Sequence, residues 1–246
     1  MNRTIIIIPS RMAASRLKGK PLLKINNVPI ICHVLNKAIE TGLEAIVATE
    51  DKEIVTAVEQ NGDASKVILT ENHKTGTDRI FEAFKKLKTK NVDYILNLQG
   101  DEPMIDPKDI INLNKLMIEN NSDIGTLASK IKNDTMLNNE NIVKVITEKK
   151  LENNNFVKAL NFLRKDLKKE NTNIYHHIGI YCYKVSTLEK FINLDQTKNE
   201  IKNRLEQLRA LDNNIKINVA LAESSPIGVD TKEDYLALKK IMEYKS

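Results

Sequence analysis

Aromatic residues make up only 4% of this 246-residue chain, and tryptophan is missing altogether. With so few rings, none interleaved with the basic residues, a base-stacking nucleic-acid surface is excluded as the default reading. This holds even though 38 Lys+Arg outnumber 33 Asp+Glu, giving a formal net charge of +5. The cations are spread over helical stretches such as Lys85-Lys86-Leu87-Lys88, so the excess points to a small anionic substrate and to no nucleic acid. Cysteine is equally scarce. Cys32 and Cys182 stand in neither C-x-x-C nor His/Cys metal spacing, which argues against a disulfide framework and for reduced thiols in the cytoplasm. Long apolar runs are lacking too: Ile5–Ile8 is far too short to cross a bilayer, and no charged-then-apolar signal segment precedes it. The expectation is a cytoplasmic protein with no membrane partner. No repeat period appears. Finally there is no G-x-x-x-x-G-K-[ST], and the loop after the first strand has only Gly19 where G-x-G-x-x-G needs three glycines. P-loop hydrolysis and dinucleotide-dependent hydride transfer are thereby disfavoured.

What the chain does have is regular alternation of apolar runs with helical patterns, on a composition 41% hydrophobic. The pattern predicts strands at Thr4–Ile8, Ala45–Thr49, Lys66–Leu69, Tyr94–Leu98, Ile124–Lys130, Ile142–Ile146, Val157–Leu163, His177–Tyr183 and Lys216–Ala220. Helices are expected at Pro29–Thr41, Lys52–Gln60, Thr77–Thr89, Pro107–Asn120, Ser186–Asn193, Asn199–Leu211 and Thr231–Tyr244. Such alternation implies crossover connections, hence an α/β fold with a mostly parallel central sheet flanked by helices. Asn/Lys-rich patches at Lys132–Asn141, Lys149–Asn155 and Lys165–Asn173 read as exposed loops. No composition shift cuts the chain, so residues 1–246 are expected to form a single domain.

Three clusters carry chemistry. The first strand empties into a loop bearing Arg11, Arg16, Lys18 and Lys20, with Ser15 and other small residues between them. At the mouth of a parallel strand, backbone amides and such cations suit a triphosphate; the competing reading is a solvated basic turn. After the fourth strand stands Gln99-Gly-Asp-Glu-Pro103. Here Gly100 is expected to let the backbone bend sharply and leave Asp101 facing the ligand, where a hard divalent cation would take its oxygens. Near the C-terminus, Gly228-Val-Asp230 offers a second carboxylate, though Asp230 or Thr231 could equally cap the last helix, with Asp234 completing a box. The third cluster, His73-Lys-Thr-Gly-Thr-Asp-Arg79, opens a helix whose free amides suit an anion or a nucleotide; its charges could also belong to a solvated first turn.

The basic loop resembles the signature of nucleotide-sugar pyrophosphorylases, in the branch with R-x-x-S-[ST]-R-L-P-G-K-P-L, departing from it at Ala14 and Lys18. Together with His177-Ile-Gly-Ile-Tyr181 and Leu205-Glu-Gln-Leu-Arg209, the ordered clusters resemble the 3-deoxy-manno-octulosonate (Kdo) cytidylyltransferase family over essentially the whole chain. The resemblance implies a Rossmann-like nucleotidyltransferase fold and a homodimer. It also implies transfer from CTP to the acid sugar Kdo, giving CMP-Kdo and pyrophosphate for lipopolysaccharide synthesis, with Mg2+ as cofactor. By resemblance, Arg11, Ser15, Arg16, Lys20, Thr75, Gly76, Arg79 and Gln99 contact the nucleotide. Asp101 and Asp230 match the metal ligands and act with Lys20 in catalysis. Gln99, Arg164, His177, Tyr181, Glu206 and Gln207 match residues that hold the sugar. His177 and Tyr181 could instead be plain core, and Glu206 and Arg209 could be a solvated helix face. The family's S-R-A-x-I-P segment reads Leu163-Arg164-Lys165-Asp166-Leu167 here. That leaves room for a related acid sugar, such as 8-amino-Kdo or sialic acid, or for a non-catalytic nucleotide-binding relative.

Overall fold

The four consecutive isoleucines Ile5–Ile8 lie in strand β1, Thr4–Ser10, every residue of which is buried. A β-branched run with no polar alternation fits only a strand covered on both faces, which is the central position of a parallel sheet. In the computed structural model, which describes residues 2–13, 17–61, 64–87, 91–165, 173–226 and 228–244, the chain resolves into two compact units. One is built from Arg3–Lys108 and the segment from Pro226 onward, the other from Asp109–Ser225.

In the first unit, β1 is followed by a short antiparallel pair, β2 (Lys24–Ile25) and β3 (Val28–Pro29). Their two-residue link, Asn26-Asn27, has positive φ at both positions, the geometry that matches strand twist in a tight hairpin. Next come α1 (Ile30–Ile39), β4 (Glu44–Thr49), α2 (Lys52–Asn61), β5 (Val67–Leu69), α3 (Gly76–Lys86) and β6 (Tyr94–Asn97). The strands run in the order β5-β4-β1-β6, and each pairing is parallel. All four therefore present their C-terminal ends on one edge, where ligands of open α/β sheets bind.

Helix α4 (Pro107–Glu119) leads into the second unit. There follow β7 (Ile124–Ser129), α5 (Asp134–Asn138), β8 (Lys144–Thr147), β9 (Val157–Leu163), β10 (Ile174–Lys184), α6 (Val185–Phe191), α7 (Lys198–Asn203), α8 (Gln207–Asp212) and β11 (Ile217–Leu221). Here the sheet is mixed. β11 runs parallel to β7, whereas β10 is antiparallel to β7 and β8, and β9 is antiparallel to β8 and β11. The pairings run in a circuit, β10-β7-β11-β9-β8 and back to β10, so no strand of this unit is left with an unpartnered edge along its whole length. The last helix, α9 (Lys232–Tyr244), belongs to the first unit. It joins the small core of Ile25, Ile30, Val229 and Leu238, and its Tyr235 hydroxyl donates to Lys24 O at 2.7 Å.

Among the described residues the expected elements are present, with two differences of substance; positions 88–89 of the helix expected over Thr77–Thr89 and 166–172 of the loop expected over Lys165–Asn173 lie outside the described residues. The helix expected over Asn199–Leu211 is two, α7 and α8, because Arg204 takes a left-handed conformation (φ 53) that ends the first. The loop expected over Lys132–Asn141 contains α5, started by Asn133, whose side chain accepts from Met136 N at 2.9 Å as an N-cap.

Candidate active site

A cavity of about 280 Å3 opens at the C-terminal edge of the first unit's strands. Its floor is the end of β1. Pro9, Ser10 and Arg11 line it, and Met12 N is anchored by Asp51 Oδ2 at 2.7 Å. Gly19, in the left-handed region, starts the turn of 3-10 helix that delivers Lys20. The Lys20 ammonium, largely buried, donates to Asp101 Oδ2 at 2.7 Å and lies 3.5 Å from Asp230 Oδ1. Two carboxylates remote in sequence thus converge on one cation. Their approach is fixed by the backbone, since Val229 N donates to Asp101 O at 2.9 Å. The chain turns at Gly100 and Asp101 without a left-handed φ; a Cβ at Gly100 would stand 3.0 Å from Pro9 O, so glycine also allows the close approach of two strand ends. Capping of α9 falls to Thr231, whose Oγ1 accepts from Asp234 N, while Asp234 Oδ2 accepts from Asp230 N and Thr231 N. The Asp230 carboxylate is turned to Lys20 instead.

The opposite wall is the start of α3. Thr75 caps this helix, accepting from Asp78 N at 3.1 Å and donating to Asp78 Oδ2 at 2.9 Å, and Gly76 exposes backbone to the cavity. Anions are favoured at such a terminus. Arg79 also lines the cavity, yet it is 2% exposed, and its guanidinium donates to Glu50 Oε2 and Thr70 Oγ1, both at 2.8 Å. Its planar fork is therefore a fixed wall rather than a mobile arm. His73 reaches the cavity rim while its Nε2 contacts Glu82. The Lys86, His73 and Glu71 N–H donors around Glu82 outweigh its burial and hold that carboxyl down to about 2. Gln99 lines the cavity with its amide donating to Asn97 Oδ1 at 3.3 Å. Of the nucleotide-facing expectations, Arg11, Lys20, Thr75, Gly76, Arg79 and Gln99 are brought together; Ser15 and Arg16 lie outside the described residues.

His177, Tyr181, Glu206, Gln207 and Arg164 lie in the second unit. His177 is buried between Phe162, ring centroids 5.1 Å apart edge to face, and Tyr181 at 5.4 Å. Burial, and then His176, push its pKa down to about 3. The one proton of the Thr126 hydroxyl goes to Ile180 O at 2.7 Å, so its oxygen accepts from His177 Nε2 at 3.0 Å. That fixes the neutral tautomer protonated on Nε2. The Tyr181 hydroxyl is buried with no hydrogen-bond partner among the described residues. Its pKa is pushed well up by burial, then by Tyr183 and Glu206. Glu206 occupies the N-cap position of α8, Gln207 is the first residue of that helix, and the Arg209 Nη2 lies 3.7 Å from Glu206 Oε1. Arg164 is engaged elsewhere: its guanidinium donates to Asn141 O at 3.1 Å, and its own carbonyl accepts from the buried Lys144 ammonium at 2.8 Å.

Among the described residues no helix is long and apolar enough to cross a membrane, and no three His, Cys, Asp or Glu side chains converge as a metal cluster. Residues 5–217 match the cytidylyltransferase family. The 3-deoxy-manno-octulosonate cytidylyltransferase of Nitrobacter winogradskyi is 38% identical, covering 98% of this chain and 94% of its own. That of Afipia carboxidovorans is 40% identical over 97% and 96%. The chain belongs to the Kdo cytidylyltransferase family. Agreeing with this, a solved CMP:2-keto-3-deoxy-manno-octonic acid synthetase complexed with CTP superposes with TM-score 0.88 at 32% identity, covering all of both chains. The geometry also involves side chains that no pattern in the sequence singles out. Ser10, whose buried Oγ has no partner among the described residues, and Glu50, which fixes Arg79, gave no signal beyond standing at strand ends. Thr126 and Glu200 gave none, since their partners are 51 and 9 residues away.

Proposed function

We propose that this chain transfers the cytidylyl group of CTP to Kdo, releasing pyrophosphate and forming CMP-Kdo, with the whole chain 1–246 acting as one nucleotidyltransferase domain. The observation that carries the reading is the convergence of Lys20, Asp101 and Asp230 at the cation-lined end of β1, in a chain with 38% and 40% identical Kdo cytidylyltransferase relatives along nearly its full length. Members of the family generally use a divalent metal. The donor set fits Mg2+, a hard cation that takes one or two carboxylates together with phosphates and waters. Asp101 and Asp230 would hold it; when bound, the metal lowers the pKa of the attacking hydroxyl and clamps the phosphates.

The protein's own part is positioning and charge. Attack of a sugar hydroxyl on the α-phosphorus builds negative charge on phosphate oxygens. Lys20, Arg11 and the amides at the start of α3, which line one cavity, would neutralise it without reorganising. Arg79, already pinned by Glu50, would supply a rigid guanidinium edge for the nucleotide. Gln99 would face both substrates, and His177, Tyr181, Glu206 and Gln207 would receive the sugar. Arg164, whose guanidinium bonds backbone carbonyls, would contribute at the sugar's distal end only by exchanging those bonds. A cytoplasmic homodimer serving lipopolysaccharide synthesis is part of the same proposal. Its location is supported by the free buried thiols of Cys32 and Cys182, and light scattering tests the dimer. The decisive assay is pyrophosphate release. It should require CTP, Mg2+ and Kdo together; equal turnover of ATP or UTP, or turnover in EDTA, would overturn the reading. 8-Amino-Kdo and sialic acid in the panel decide the sugar, and CTP binding without turnover would mark a non-catalytic relative.

A further inference from the structure

The sequence leaves Arg209 as one more charge on a helix face, yet its side chain is 5% exposed, as is that of Glu200. The two form a fork-to-fork pair, Arg209 Nε donating to Glu200 Oε2 at 2.8 Å and Nη2 to Glu200 Oε1 at 2.6 Å. Glu200 is itself immobilised. It closes the capping box of α7 with Thr197, receives the Gln196 amide at 3.2 Å, and is held ionised by these donors. The guanidinium also lies over the Phe191 ring, 4.9 Å from its centroid. Stacked on one side and clamped on another, this cation cannot follow a partner; its partners must come to it.

What comes to it is Glu206. At 3.7 Å the contact is longer than a hydrogen bond, so Arg209 supplies charge compensation rather than a directed bond. The Glu206 charge is felt by the Tyr181 phenol, which is buried and has no partner among the described residues. A buried hydroxyl in that state lacks a hydrogen bond that a ligand can supply. A carboxylate acceptor together with a neutral phenol donor is complementary to hydroxyls of a polyol. We propose that Glu200 and Arg209 are positioning residues that hold Glu206 as a charged acceptor for sugar hydroxyls in the second unit. The proposal rests on the reading of this chain as a sugar cytidylyltransferase and extends it from the residues that touch sugar to the pair behind them.

Glu200→Gln keeps the shape of the pair but removes its charge and turns one accepting oxygen into a donor, so that two of the four hydrogen bonds Glu200 accepts are lost; the clamp loosens, allowing Arg209 to close on Glu206 and neutralise it. Arg209→Met removes the compensation, so that Glu206 takes up a proton and ceases to be a charged acceptor. Arg209→Lys keeps the charge without the fork. The Michaelis constants for acid sugar and CTP, calorimetric CTP affinity and melting temperature are measured for each. The KM for sugar should rise about 10-fold or more in Glu200→Gln and Arg209→Met, the loss expected for a hydrogen bond to a charged group, and less in Arg209→Lys. CTP affinity should stay within about 2-fold in any case, since the pair belongs to the other substrate. If Arg209→Met does not fold, Glu200→Gln decides. Unchanged sugar KM, or sugar and CTP affinities lost together, overturns the positioning role while the unsubstituted protein remains active. Inactivity of the unsubstituted protein with every acid sugar overturns the functional reading itself, and this assignment with it.

Discussion

Asp230 was ambiguous between capping a helix and holding a metal, and the difference lies in its neighbours. Thr231 and Asp234 satisfy the first amides of α9 between themselves, and the Asp230 carboxylate turns to Lys20. Asp230→Ala and Asp101→Ala should therefore each lower turnover by roughly 100-fold or more. Neither should show the roughly 1 kcal/mol loss of a removed cap; a matching fall in melting temperature for Asp230→Ala would return it to a capping role. Lys20 tests the same geometry from the other side. Its ammonium sits where both carboxylates converge, so it competes with a divalent cation for them. Lys20→Met should raise the affinity of the nucleotide-free protein for Mn2+, read by electron paramagnetic resonance, while depressing turnover with CTP. Unchanged Mn2+ binding would mean that the metal, if held there, is held by other oxygens. Residue types at strand ends were legible in sequence because a cation-rich loop or an Asp after a buried strand has few uses. Partnerships were not: Glu50 with Arg79 and Lys144 with the Arg164 carbonyl join residues 29 and 20 apart, and no local pattern encodes them.

At the level of elements, the parallel half was the easier to read. β1, β4 and β6 are continuous apolar runs, and a run of that kind admits only a strand buried on both faces. The second unit's pairing directions were not legible, since alternation fixes which face is buried but not which neighbour supplies the hydrogen bonds. The split between α7 and α8 also went unseen. It depends on Arg204 adopting a left-handed φ of 53, which a non-glycine residue rarely does and which no glycine or proline announced. The break puts Glu206 at the N-cap position of α8, with its carboxylate 3.7 Å from Arg209. Packing of the second unit can be probed on β7. A Cβ on Gly125 would fall 2.5 Å from Met117 Sδ, 2.7 Å from Phe156 Cζ and 3.1 Å from Leu113 Cδ1. Gly125→Ala should thus lower stability by about 1–3 kcal/mol, the usual cost of overpacking a closed core, with β7 displaced rather than its neighbours deleted. Urea midpoints check this, and a variant as stable as its parent would mean that α4 and the Phe156 turn yield freely.

Across the whole molecule the formal charge is already +5 at neutral pH, and acid adds protons to groups that the fold keeps from taking them. Composition revealed the charge but not this resistance, which depends on burial. Burial holds the His177 pKa down to about 3 and lowers that of His176, with Lys144 adding to the latter. Each imidazole takes up a proton less readily in the fold than in the unfolded chain, where a histidine titrates near 6.5. A base with a depressed folded pKa gives its full contribution above the unfolded value. The contribution is lost as pH falls from about 6.5 towards about 3, because the unfolded chain binds the proton first. The loss for one such group is about 1.4 kcal/mol per pH unit within that window. Glu82 acts in the same direction but lower: its carboxyl, held at about 2 against an ordinary 4.5, contributes above about 4.5 and loses that contribution only below it. Between pH 6.5 and 4.5 the histidines alone should set the slope. Melting temperature is therefore expected to fall steadily across that interval, steepening below it as Glu82 of the unfolded chain takes up its proton while that of the fold does not. His177→Gln, which retains an amide donor for Thr126, should flatten the fall from about pH 6.5 down to about 3 and leave the added steepening below 4.5 in place; Glu82→Gln should lessen only that steepening. A melting temperature constant from pH 7 to 5 would show that His177 accepts its proton without unfolding, and that the Thr126 contact is made by the protonated ring.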